Sequence, residues 1–515
     1  MTEIGYDAFA GCTGLTSIVI GNSVTKIGGG AFDGCTGLMS IVIPDSVTEI
    51  GNYAFRECTG LTNIVIGNSV TKIGEGVFVR CKDLTSIVIG NSVTEIGVIA
   101  FLDCTGLTSI VIPDSVTEIG WKAFKGCSAL TSVVIGNSVT IIWSEAFRGC
   151  TGLTSIVIPD SVTEIGQEAF AGCTGLTNIV IGNSVTKIGG GAFAGCTGLT
   201  DIVIPDSVML ISSYVGISQK ELFEGCTGLT SIVVSEGNKV YDSRNNCNAL
   251  FETESNTLIK GFNNTVIPDS VTKIGMWAFK GCTGLTSIVI PGSVTEIGRE
   301  AFSGCTGLTS IVIPDSVTEI RESAFQGCTG LTSIVIPDSV REIEQRAFSG
   351  CMGLTSIVVS EGNKKYDSRD NCNAIIETES NALIFGCKNT VFRDSVTGIG
   401  ERAFEGCTGL TSIVIPNFVT RIGVCAFKGC TGLTTASVLG PVNLLDKTFS
   451  GCTVLECVTL GVGIKKIIMT DDGTEEALKT INVPAKKTDY YKKRLPEELH
   501  GLIVELPAEK KAKKK

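Results

Sequence analysis

GCTGLTSIVIPDSVTEIG, residues Gly149 to Gly166, decides the fold. Its first 17 residues return unchanged from Gly304 to Ile320, and close relatives of it fill most of the 515-residue chain. The most regular marker is a Phe followed three residues later by a Cys. Phe9, Phe32, Phe55, Phe78, Phe101, Phe124, Phe147, Phe170 and Phe193 recur every 23 residues. The series resumes at Phe223, at Phe279, Phe302, Phe325 and Phe348, and at Phe404, Phe427 and Phe449. All 17 have their Cys, from Cys12 to Cys452. Length alone suggests roughly three or four globular domains, but a fixed short period overrides that prior and predicts a solenoid.

One unit, Leu153 to Cys173, reads LTSIVIPDSVTEIGQEAFAGC. Leu153, Ile156 and Ile158 have the spacing of an extended segment whose alternate residues face inward. Pro159-Asp160-Ser161 is turn chemistry, and other copies turn at Gly21-Asn22-Ser23 instead. Val162 and Ile165 point inward from a second short strand that ends at Gly166. Ala169, Phe170 and Cys173, at i, i+1 and i+4, predict a single helical or 3-10 turn packed on the core. Each repeat is then a three-sided coil too small to fold alone. Stacking supplies both the buried faces and the parallel ladder hydrogen bonds.

Composition bounds the partners. A net charge of −11 argues against nucleic acid, which needs a basic face. No apolar run reaches the roughly 18 residues of a membrane span, so no membrane insertion is expected. Met1 to Phe9 lacks a basic region followed by an apolar stretch, so no signal peptide is expected there. Met1-Thr2-Glu3-Ile4-Gly5 lines up with Val47-Thr48-Glu49-Ile50-Gly51, which opens the chain in mid-repeat. Further sequence upstream is expected; a start whose first half-coil frays is the alternative.

The string Leu153 to Cys173 resembles the BspA-like leucine-rich repeat family, with its unit LTxIxIPxSVTxIGxxAFxGC, and the resemblance covers residues 1–463. The reading is an α/β repeat solenoid: a right-handed leucine-rich repeat superhelix with a concave parallel β-sheet, short convex strands and helical or 3-10 turns. Two long interruptions, about 235–265 and 360–390, repeat each other (EGNKVYDSRNNCNALFETESN from Glu236, EGNKKYDSRDNCNAIIETESN from Glu361) and suggest hairpin-like excursions. Ser212 to Ser218 lengthens one copy, residues 464–508 are read as a C-terminal cap ending in a strand at Ile481 to Pro484, a short helix about Asp489 to Arg494 and Leu502-Ile503-Val504, and 509–515 is a basic tail. The resemblance implies a non-enzymatic protein-binding repeat protein of adhesin type, at the cell surface or secreted. Its implied partners are proteins or extended polymers, among them extracellular matrix and other cell surfaces. An intracellular scaffold or spacer is the alternative, and the opening residues leave a cytoplasmic location open.

Chemistry finds little to use. The one His, His500, cannot assemble a triad or a His-rich metal site. No CxxC occurs among 22 Cys, and the ladder Cys are expected as free buried thiols, each against a Phe. Neighbouring Cys on a ladder would have parallel Cβ vectors, which opposes disulfides. The runs Asp242 to Asn248 and Asp367 to Asn373 read as Asx turns and not calcium loops, because Arg244 and Arg369 occupy a ligand position. No cofactor is expected.

Binding could live on two faces. Outward along the LTSIVI strands runs a row of 15 valines, from Val19 to Val414, beside a row of Ser and Asn. The expected contact lies at mid-array, on Ser132, Val134, Ser155, Val157, Asn178 and Val180. Variation gathers instead at the corner after Ile-Gly, as in Asn52-Tyr53, Trp121-Lys122, Gln167-Glu168 and Met276-Trp277. Trp121, Trp143 and Trp277 there are the anchor type that binding hot spots favour. The valine row is weighed against ordinary β-propensity on an exposed sheet.

Overall fold

A computed structural model describes residues 2–211, 221–444, 447–464, 466–467 and 477–507. The lengthened stretch at Ser212 to Ser218 and the basic tail 509–515 lie outside the described residues. The chain forms two compact units, Met1–Glu254 and Ser255–Lys515. Each is a β-solenoid of stacked parallel strands, offset by one repeat from rung to rung. In the first unit Ser155, Ile156 and Val157 face Asn178, Ile179 and Val180. In the second, Lys273–Ile274 meets Glu296–Ile297, which meets Glu319–Ile320.

The longest ladder is not built from the LTSIVI strands. It is the second, two-residue segment of each repeat that forms a 10-stranded sheet, from Glu3–Ile4 to Leu210–Ile211. The LTSIVI strands pair in pieces: Ser40–Ile43 with Asn63–Ile66 and then Ser86–Val88, Ser109–Val111 with Ser132–Val134, Ser155–Val157 with Asn178–Val180, and Asp201–Ile204 with Ser231–Val234. Each break comes before a rung that turns on proline, namely Pro113, Pro159 and Pro205. The rung of Pro44 meets its predecessor through a single bridge, Ser17 to Ser40.

Proline corners lack a donor that some other corners use. Ser235 donates to the Ile204 carbonyl of the preceding rung at 2.9 Å, Ser360 to Ile336 at 2.9 Å and Leu439 to Ile415 at 2.9 Å. Proline has no N–H and presents its ring to that carbonyl, so the bond is lost and the strands part. Even the strand before Pro484 pairs over three residues, Cys457 to Thr459, where its predecessor pairs over four.

The third side of each coil departs from the expected helical or 3-10 turn. Ile99, Phe101 and Asp103 send their amides to the next rung, at 2.9, 2.7 and 2.8 Å from the carbonyls of Trp121, Ala123 and Lys125. Between them, Ala100, Leu102 and Cys104 donate within their own rung, to Gly97, Ile99 and Phe101. A helix directs every amide back along its own chain. Here left-handed residues, Ile99 at φ 50° and Asp103 at φ 57°, turn alternate amides outward. The spacing i, i+1, i+4 is therefore produced by a series of tight turns, and the corner becomes a further ladder.

The core follows from that geometry. Phe101 and Phe124 stack with centroids 5.0 Å apart and planes inclined by 4°. Phe124 and Phe147 continue at 5.1 Å, in the offset-stacked arrangement aromatic quadrupoles favour. The ladder thiols are donors as well as small apolar groups: Cys81, Cys104 and Cys127 donate to the carbonyls of Phe55, Phe78 and Phe101 at 3.1, 3.0 and 3.2 Å. All Cys are free, but not all ladder Cys are buried. Cys12, on the first rung, is exposed, and Cys226, Cys282 and Cys407, beside the interruptions, are half-buried because a regular neighbouring rung is missing there.

Both interruptions close the two-residue ladder in the same way. The Tyr241 hydroxyl accepts the Ile211 amide at 2.9 Å, and the Tyr366 hydroxyl accepts that of Ile343 at 3.1 Å. A phenol thus stands where the next rung's carbonyl would be. In the second interruption Ala374–Glu377 pairs antiparallel with Ala382–Gly386, a hairpin that rejoins the parallel ladder at Gly398–Ile399. Towards the C-terminus, Thr480–Val483 is followed by a helix at Thr488–Lys492 and a 3-10 turn at Glu497–Leu502. Ile503–Glu505 then adds one more parallel strand beyond the expected last one.

Candidate binding surface

The strands of the SIVI face alternate, one residue in and one out, which sets every Val of the row toward solvent. Val111, Val134, Val157 and Val180 are 62%, 54%, 61% and 50% exposed. The inward Ile110, Ile156 and Ile179 are buried. Register places Ser155 against Asn178 and Val157 against Val180. Ser132 and Val134 pair instead with Ser109 and Val111. All six expected contact residues are therefore exposed on one face, but Pro159 divides them between two ladder pieces.

Part of the polarity of this face is taken up within the stack. Its threonines are engaged along the stack, with Thr108, Thr131 and Thr177 hydroxyls donating to the carbonyls of Thr85, Thr108 and Thr154 at 3.2, 3.0 and 3.1 Å. Charge is nearly absent from the outward positions, Asp201 being an exception. The result is a strip of low charge with an outward Val in 15 rungs, up to Val414, after which Ser437 and Thr459 take the position.

The corner face is different in kind. Trp121 is 43% exposed, with the Lys122 ammonium 3.7 Å from its ring centroid. Trp143 is 42% exposed and donates its ring N–H to Glu118 at 2.9 Å. Trp277 is only 5% exposed, so it covers the core and is not an available anchor, contrary to expectation. The second variable position of the corner is left-handed in rung after rung, at Tyr53, Lys122, Glu168, Trp277, Glu300 and Arg346. Ion pairs knit it together: Glu145 meets Lys125 at 2.7 Å and Arg148 at 3.1 Å.

Within the interruptions, Arg244 and Arg369 grip Asp242 and Asp367, with Nε to Oδ1 distances of 2.7 Å in both. The Arg244 amide also meets Asp242 Oδ1 at 3.1 Å, which is an Asx turn. The ladder-closing tyrosines were not singled out from the sequence. Their signal was present, as Tyr241-Asp242-Ser243-Arg244 and Tyr366-Asp367-Ser368-Arg369 are the same string. Among the described residues, no group of three or more His, Cys, Asp and Glu could hold a metal ion, and no helix is long and apolar enough to cross a membrane.

Solved structures with related sequences include a leucine rich cell surface protein of Faecalibacterium prausnitzii A2-165, 29% identical over 82% of this chain and 87% of that one, with a TM-score of 0.47. A leucine-rich repeat protein of Bacteroides ovatus is 26% identical over 94% and 88%, with a TM-score of 0.38. No curated protein matches the sequence. The model of the BspA type leucine rich repeat region (6 copies) matches residues 2–131, 117–250, 255–375 and 376–493. With its period, its stacked rungs and that match, the chain belongs to the BspA type leucine rich repeat family.

Proposed function

We propose that this chain is a non-enzymatic binding protein of adhesin type, placed at the cell surface or secreted, whose SIVI face meets a large host or microbial macromolecule. The observation that supports it is the uncharged Val row, of which Val134, Val157 and Val180 are each half exposed or more. Contiguous apolar surface of several hundred Å² commonly marks an interaction site. Near-identical rungs form no unique pocket, but they suit multivalent contact with an extended partner. The corner face is the competing reading, supported by the exposed Trp121 and Trp143.

Two folded variants separate the readings when measured against immobilised matrix proteins and whole cells. One carries V134E, V157E and V180E; the other carries W121A, Q167A and E168A. Circular dichroism checks that each keeps its fold. Loss of binding in the first variant alone supports the SIVI face, and loss in the second alone moves the site to the corner. If the parent binds nothing, the scaffold reading takes over.

A further inference from the structure

We propose a second, independent site: the cavity at the second interruption binds an extended, basic peptide segment of a partner protein. The cavity lies within the second unit, between the rung of Phe348 and the rung of Phe404, and measures about 550 Å³. The corner ladder opens there. One rung earlier it is intact, with the Ser323, Phe325 and Gly327 amides 3.1, 2.7 and 2.8 Å from the carbonyls of Gln345, Ala347 and Ser349. One rung later Arg402, Phe404 and Gly406 donate in the same way to Val424, Ala426 and Lys428. Between them Gly350 still reaches the Glu405 carbonyl, at 3.1 Å. By that register Arg346 and Phe348 would meet the carbonyls of Glu401 and Ala403. The hairpin strand Ala382–Gly386 intervenes, and its last residue donates to the Ala403 carbonyl at 3.0 Å. Among the described residues no acceptor meets the amides of Arg346 and Phe348, and both residues line the cavity.

Those amides belong to alternate residues, the spacing at which one edge of an extended chain presents its carbonyls. Ser349, 3% exposed, lines the same cavity, and its hydroxyl has no partner among the described residues. An open buried donor is costly, and a peptide main chain laid along this edge satisfies both amides at once. Charge selects the side chain. Five carboxylates line the cavity against three cations, and two of those, Arg346 and Arg402, are turned to Glu405 at 3.2 and 3.0 Å. Lys365 stands over the Tyr366 ring, 5.7 Å from its centroid. Glu377 accepts from the Ser380 hydroxyl at 2.6 Å, and Glu342 lies 3.9 Å from Arg321, which holds Glu344 closer, at 2.8 Å. A Lys or Arg of the bound segment supplies the missing positive charge, whereas an acidic segment would meet these carboxylates uncompensated.

The test presents the full chain, fluorescently labelled, to pools of short acetylated peptides that carry Lys, Arg, Gln or Glu at a fixed middle position and are otherwise randomised. The variants are Glu377→Gln, which removes a lining carboxylate, and Ile384→Trp, which adds bulk to the cavity from the intervening strand. The expected result is retention on the Lys and Arg pools, weaker by at least about tenfold on the Gln and Glu pools and for each variant, and unchanged by Val157→Glu. That control also keeps this site distinct from the SIVI face. Hydrogen exchange at 344–350 should slow when a retained peptide is bound, a readout that charge attraction alone would not move. No preference for the basic pools, retention insensitive to both variants, or unchanged exchange at 344–350 would each overturn the proposal.

Discussion

The thiol of Cys104 donates to the carbonyl oxygen of Phe78, 3.0 Å away and one rung earlier. That oxygen already accepts the Cys81 amide at 3.2 Å, so the thiol fills its second lone pair. A buried position that needs both apolar volume and a donor explains Cys better than apolarity alone. Cys104→Ala leaves a small void and a half-satisfied carbonyl, and should lower stability by about 1–2 kcal/mol. Thermal or denaturant unfolding of the variant checks this.

Burial also sets the thiols' titration. It pushes Cys81 from 9.0 up to about 12 and raises Cys35 in the same direction. Because the folded value lies above the unfolded one, this stabilisation is complete below about pH 9 and is lost as pH climbs through the folded value. Stability should therefore fall steeply between about pH 9 and 12, more so than in a Cys104→Ala, Cys127→Ala variant. At pH 8 an alkylating reagent should label the exposed Cys12 and leave the interior ladder thiols untouched until the chain unfolds. Mass spectrometry of the unfolded, unreduced protein should then find those thiols free, and rung-to-rung disulfide peptides would contradict the donor geometry.

The proline breaks can be closed. Pro159→Ser gives the corner the residue it has at Ser235 and Ser360, and supplies an N–H of the kind that reaches the preceding rung there. Hydrogen exchange in peptides covering 130–160 should slow. Leu439→Pro, which removes the bond to the Ile415 carbonyl, should do the opposite over 412–439. Unchanged exchange in both would mean that something other than the missing donor parts these strands.

Much of this was legible because the period is strict. A spacing of 23 residues fixes the register, and alternation fixes which of Ile156 and Val157 faces out. The corner was not legible. Ala169, Phe170 and Cys173 have the same spacing in a helical turn as in successive tight turns, and the difference lies in the φ of residues such as Glu168 and Gly172. Pro159 and Gly182 looked like interchangeable ways to bend the chain; their unequal effect arises between rungs, where the ladder breaks before the proline and not before the glycine. Burial of Trp277 depends on its neighbours across rungs, which a single repeat does not encode. The exposed valines follow from alternation, but alternation alone cannot assign them a partner.

The central claim, that the SIVI face makes the contact, is tested most directly by photo-crosslinking. A benzoylphenylalanine replaces Val157 in one protein and Trp121 in another, both outward and on different faces. Each is irradiated with the matrix protein or cell surface that the parent chain binds. The account predicts a crosslink from position 157 and none from position 121. A crosslink from 121 alone, or none from 157 while the parent binds, would contradict it.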